Sequence, residues 1–200
     1  HPDVEPRVAV FWSSLPKMAR LPRRARRSER FRDMTSDDLT RWALQMYFQP
    51  RGRIRDAAGE VMAHRAGPVI GVHVRYTDRK VSLDRIYREV TDLRAQMPDA
   101  PIFLATDNEK VQRRFRDRYS GVFVIEKALG DDDSPLHDRV ELQDRLREAE
   151  NALIDMYALS LCDWLVHSRH STFSVAAALI GGTPKSRQRD IDRSNPRVVV

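Results

Sequence analysis

Six residues, Val69-Ile70-Gly71-Val72-His73-Val74, form an apolar β-branched run that breaks abruptly into the charged stretch Arg75-Tyr76-Thr77-Asp78-Arg79. A run of this kind suits a strand buried on both faces, as in a parallel sheet covered by helices. His73 and Arg75 are two apart and so point to one face of that strand. Burying an unpaired guanidinium costs several kcal/mol, so Arg75 is expected at the strand's end, facing an anion or a carboxylate. In open α/β sheets ligands bind there, outside the carboxyl ends of the strands.

The rest of the chain alternates around this strand. Residues 8–12 read as a short strand ended by Ser13, Ser14 and Pro16. Thr35 or Ser36 caps a helix with Leu39, Trp42, Ala43 and Met46 on its buried face. Pro50 ends it and opens another, 51–65, with Ile54, Ala58, Val61 and Met62 facing inward. Trp42 and the methionines read as core. Downstream the pattern predicts a helix from Ser82 to about Pro98, a strand 101–106, a helix from Asn108 and a strand 122–125. A surface loop 129–138, a long helix 139–162, a strand 164–167, a helix 172–180 closed by Gly181-Gly182 and a last strand 197–200 complete it. Such alternation implies parallel strands with helices on both faces, an α/β fold with a Rossmann-like doubly wound parallel sheet.

Charge is concentrated in one segment. Of 35 basic and 29 acidic residues, eight Lys or Arg against the single acid Glu29 lie between Lys17 and Arg32. That segment carries +7 of a total of +6, and the remainder sums to −1. It is expected to be a solvated loop or an anion-binding surface for nucleic acid, membrane or substrate phosphates. No aromatic residue stands between Trp12 and Phe31 to stack single-stranded bases, which weakens the nucleic-acid option. The single cysteine, Cys162, excludes an intrachain disulfide and fits a reducing, cytoplasmic compartment. No apolar run approaches the ~20 residues that span a bilayer. Walker, G-x-S-x-G and G-x-G-x-x-G patterns are missing, against P-loop NTPases, serine hydrolases and common dinucleotide enzymes. His167 and His170 lack partners at a zinc-like spacing, and Asp131-Asp132-Asp133 lacks the rhythm of a calcium loop.

Three motifs occur in order: His73-x-Arg75-x-Thr77-Asp78; Phe103-Leu104-Ala105-Thr106-Asp107-Asn108; and Leu153-Ile154-Asp155-Met156-Tyr157-Ala158-Leu159-Ser160-Leu161-Cys162-Asp163 with Ser168 to Ser171. Over roughly 67–182 this series resembles the α-1,6-fucosyltransferases, the bacterial nodulation and N-glycan core enzymes, with protein O-fucosyltransferases as distant relatives. The resemblance implies the C-terminal, donor-binding half of a GT-B glycosyltransferase. It further implies inverting, metal-independent transfer of fucose from GDP-fucose to a sugar hydroxyl of a glycan acceptor, with no cofactor. Residues 67–200 would be the nucleotide-sugar domain. Residues 1–66, a strand, an Arg-rich loop and two helices, would be the remnant of, or connection to, an acceptor domain.

The resemblance also assigns roles. Arg75 would bind the β-phosphate and stabilise the leaving group, for which a guanidinium fork is suited; otherwise it is a structural partner of Asp78 or Asp107. The next position, often a second arginine in related enzymes, is Tyr76, with Arg79 or Lys80 as substitutes. His73 would contact the guanine end of the nucleotide, or be a satisfied core histidine. Asp155 would pair with guanine, since a carboxylate can accept from N1–H and the 2-amino group; the alternative is an exposed helix carboxylate. Asp107 either lines the site at its strand's end or caps the following helix. Ser171 and Thr172 open a helix whose free N–H groups suit phosphate, or merely cap it. The general base that inverting transfer requires is sought at Asp78 and Asp84. A donor-binding domain without catalysis and an anionic-surface module built on the arginine segment remain as alternatives.

Overall fold

The computed structural model describes residues 21–63, 67–76, 80–127 and 142–192. Two compact units divide the chain, 1–43 and 44–200. The strands expected at 8–12 and 197–200 and the loop at 129–138 lie outside the described residues.

In the first unit the arginine segment is not simply a loop. Leu21–Ala25 forms a short helix, α1, and Glu29–Phe31 a 3-10 turn. Arg26 donates to the carbonyl of Met34 and to Ser36 Oγ, at 2.8 and 3.0 Å. The Arg30 guanidinium lies over both Phe31 and Trp42, whose rings meet at 4.8 Å. Planar guanidinium suits aromatic faces and this local order. Arg23, Arg24 and Arg27 stay exposed. Helix α2, Ser36–Tyr47, starts where the sequence indicated. Thr35 Oγ1 accepts from the Asp38 amide, and Asp38 Oδ2 accepts in return from Thr35. Its stripe is not core: Leu39, Trp42 and Ala43 are half-buried, and Met46 is exposed.

Among the described residues, the second unit is built on a sheet of five parallel strands. After α3 (Gly52–Ala63) come β1 (Ile70–Val74), α4 (Leu83–Gln96), β2 (Ile102–Thr106), α5 (Glu109–Arg118) and β3 (Val122–Phe123). Then follow α6 (Leu142–Ser160), β4 (Trp164–His167), α7 (Thr172–Gly181) and β5 (Gln188–Asp190). The strands lie in the order β3-β2-β1-β4-β5, every pair parallel. Period-two alternation splits β1 cleanly. Ile70, Val72 and Val74 join Ile102 and Leu104 under α4 and α5, with Ile86, Val90, Leu93, Val111 and Phe115. On the other face Phe103, Ala105 and Leu165 pack with Ile54 and Ala58 of α3, Met156, Ala158 and Leu159 of α6, and Ala177 of α7. Both faces are therefore covered, as the β-branched run in β1 demanded.

Two glycines allow this second layer to sit close. A Cβ on Gly71 would stand 2.8 Å from Cys162 Sγ, and one on Gly181 would stand 2.0 Å from the Ser160 carbonyl oxygen, where α6 and α7 touch. Gly182 ends α7 in the left-handed conformation, φ 66°.

Three local expectations are corrected. The β3 ladder stops at Phe123, two residues short. Leu146, which helical spacing to Ala149 and Leu153 puts on the apolar stripe of the long helix, is 69% exposed. Ser82 holds the N-cap position of α4 but its side chain makes no capping bond. Among the described residues, no helix is long and apolar enough to cross a membrane.

Candidate functional site

The strand order reverses direction of growth at β1: β2 and β3 lie to one side, β4 and β5 to the other. A crevice at the carboxyl ends of β1 and β4 is where such sheets take ligands. His73 and Arg75 arrive there from β1, and His167, Ser168 and Ser171 from the end of β4. Asp155 comes from α6, which packs across β1 and β2.

Arg75 is exposed just past the last residue of β1, as the cost of burying it requires. Below it, His73 is half-buried and stacks on Phe173 of α7, centroids 4.9 Å apart. One step beyond the registered pair Val72 and Val166 sets His167 beside it. Burial first, then repulsion of the charged form by the neighbouring His167, Lys127 and Arg75, pushes His73 down to about 3. It is a neutral imidazole throughout the physiological range. His167 is also pushed down, chiefly by burial. Its Nε2 lies 3.3 Å from Gln188 Oε1, while its Nδ1 is buried without a hydrogen-bond partner.

Asp155 is not an exposed helix carboxylate. It is 2% exposed, with Oδ2 paired to Lys127 Nζ and Oδ1 buried without a partner. Burial raises its pKa to about 6, against the lowering pull of Lys127. Lys127, four residues past β3 and largely buried by this pairing, was not singled out in the sequence.

Ser171 occupies the N-cap position of α7, yet its side chain does not cap. Its Oγ is buried and unpartnered at the end of a ten-residue helix. Ordinary capping is thus overturned, and an orphan hydroxyl stands beside N–H groups that favour anions. Thr172 is exposed in the first turn of α7. The loop that carries Ser171 is fixed by Ser168, which donates to Asp192 at 2.6 Å and accepts from the His170 amide at 3.2 Å.

Asp107 does not cap the next helix. Asn108 does, accepting from the Val111 amide at 3.1 Å, while Asp107 Oδ1 accepts from the Tyr76 amide at 2.8 Å. Asp107 thereby ties down the backbone that follows Arg75. Of the two candidate bases, Asp84 is exposed in the first turn of α4, and Asp78 lies outside the described residues.

The family described as Nodulation protein Z (NodZ) matches residues 22–199. No curated protein matches the sequence. Among solved structures, NodZ α-1,6-fucosyltransferase soaked with GDP-fucose is 23% identical with a TM-score of 0.51, over 70% of this chain and 47% of that one. Fucosyltransferase NodZ from Bradyrhizobium is 23% identical with a TM-score of 0.48, over 65% and 42%. POFUT1 in complex with GDP is 14% identical with a TM-score of 0.49, over 74% and 48%. The chain spans about half the length of these structures. The first likeness shows a shared fold, and the family match extends across nearly all of the sequence. With a parallel sheet in which the motif-bearing strand ends converge, this chain belongs to the nodulation protein Z family.

Proposed function

We propose that the chain is the donor-binding half of an inverting, metal-independent glycosyltransferase that moves fucose from GDP-fucose to a sugar hydroxyl of a glycan acceptor. One observation carries this. At the β1/β4 switch point an exposed Arg75, an uncapped Ser171 hydroxyl at a helix N-terminus and a buried Asp155 with one open oxygen share one edge of the sheet. The first two suit a diphosphate and the third a base N–H, so together they match a nucleoside diphosphate.

In the proposed reaction the acceptor hydroxyl loses its proton to a carboxylate as its oxygen attacks C1 of the sugar. The bond from C1 to the β-phosphate oxygen breaks, and GDP leaves with the added negative charge. Arg75 and the N-terminus of α7 stabilise that charge as it develops. Neutral His73, held flat on Phe173, positions the nucleotide without adding charge. Asp78 or Asp84 supplies the base. The acceptor surface includes residues 1–66, and the protein works in the cytoplasm.

Thermal denaturation with GDP, GDP-fucose, GDP-mannose, UDP and ADP tests the donor site. A ligand at about 100 times its Kd adds roughly 2.7 kcal/mol of stability. Stabilisation by GDP compounds, lost in Arg75→Ala, is expected; no stabilisation by any nucleotide would refute the donor site.

A further inference from the structure

Two orphan polar atoms on α6 form a matched pair. Asn151 Nδ2 and Asp155 Oδ1 are both buried without hydrogen-bond partners, and the residues are four apart, hence one above the other on the same helix face. A buried donor or acceptor left unmade costs about 1–3 kcal/mol, so two on one stripe call for a shared partner.

The geometry of the helix says where that partner sits. Cys162, just past α6, packs against Gly71 near the start of β1. Counting back at about 1.5 Å per residue, Asp155 lies ~10 Å further along and Asn151 ~16 Å. From Gly71 to the end of β1 is ~10 Å. Asp155 is therefore level with the strand's carboxyl end, and Asn151 overhangs it by one helical turn. The contact of Asp155 with Lys127, beyond β3, agrees with that placement.

One open acceptor beside one open donor is the complement of a lactam edge, in which a ring N–H adjoins a carbonyl. Guanine presents it as N1–H and O6. Adenine presents the reverse, a bare N1 beside an amino group. Resting on the donor-site proposal above, we propose that Asn151 is a base-selecting residue: its Nδ2 donates to O6 of a 6-oxopurine nucleotide while Asp155 Oδ1 accepts from N1–H. Lys127 pairs with the other carboxylate oxygen, Oδ2, which keeps a second lone pair for the 2-amino group of guanine. The site selects guanine over adenine through N1–H and O6, features that hypoxanthine shares.

Calorimetric titration of the 200-residue chain with GDP, IDP and ADP decides the matter, using wild type, Asn151→Ala and Arg75→Ala. Alanine favours a helix interior, and the ligand-free melting temperature checks that the variant folds. Wild type should bind both GDP and IDP more tightly than ADP, GDP by at least about 100-fold. Asn151→Ala should weaken GDP and IDP about tenfold, the worth of one hydrogen bond, and narrow the preference over ADP by the same factor. Arg75→Ala should weaken all three nucleotides alike. If GDP binds and depends on Arg75 but its preference over ADP survives in Asn151→Ala, the role of Asn151 is refuted and the donor site stands. If wild type binds no nucleotide, both proposals fall together.

Discussion

His73 is held neutral by burial and by repulsion of its charged form from the basic groups around it, and this has a thermodynamic sign. Its value falls from 6.5 in the unfolded chain to about 3 in the folded one. Between those values the unfolded chain takes up a proton that the folded chain refuses. The stability concerned is complete above pH 6.5 and drains away as pH falls toward 3. His167, also pushed down, acts in the same direction. Asp155 opposes them: raised from 3.8 to about 6, it withdraws stability as pH rises across that interval. His73→Gln separates the contributions. In urea denaturation the wild type should lose more stability than the variant between about pH 7 and pH 5, by up to ~2 kcal/mol. Equal losses would mean that His73 protonates freely in the fold. The spacing of His73 and Arg75 already showed that they share a face, because strand periodicity is strict. The state of Asp155 was not legible, since helical periodicity marks apolar faces and is silent on which carboxylates the next layer covers. Lys127 left no signal at all. It matters through a contact 28 residues away, on the far side of the surface-loop sequence 129–138.

At the level of elements, the helices and inner strands were legible because each carries an apolar period. β5 was not: Gln188, Arg189 and Asp190 have no hydrophobic alternation, and only pairing with β4 makes them a strand. Among the described residues it is an edge strand, short and polar, as edges that avoid pairing with other chains tend to be. The arginine segment misled for a related reason. Its order comes from Arg30 on two rings and Arg26 on a carbonyl, contacts that composition does not reveal. The start of α5 shows the opposite case. Either Asp107 or Asn108 suited the cap, and the fold gives each a separate task, with Asn108 on the helix and Asp107 on the Tyr76 amide. Asn108 is 3% exposed, so removing its side chain strands the Val111 amide away from water. Asn108→Ala should cost about 1–2 kcal/mol in chemical denaturation. A cost below ~0.3 kcal/mol would show that the amide finds another acceptor.

On the scale of the molecule, strand–helix alternation foretold a parallel sheet but not the order of its strands. That order depends on which edge of β1 each later strand joins, and both edges are equally apolar. The outcome sets β4, which arrives some ninety residues after β1, directly against it. Every constituent of the proposed donor site lies on one side or the other of that seam. Hydrogen exchange can follow the seam: saturating GDP should slow amides of β1, β4 and the first turn of α7 more than those of β2 and α5. Uniform slowing would indicate general stabilisation instead.

The same seam gives the fold an internal test of completion. A chain whose first three strands have assembled, but which still lacks β4, already displays Arg75 and His73. It has neither Ser171 nor the Phe173 ring against which His73 lies. Such a half-finished molecule should have little hold on a nucleotide, so on the donor-site proposal GDP would act as a clasp that closes only on chains in which both halves have met.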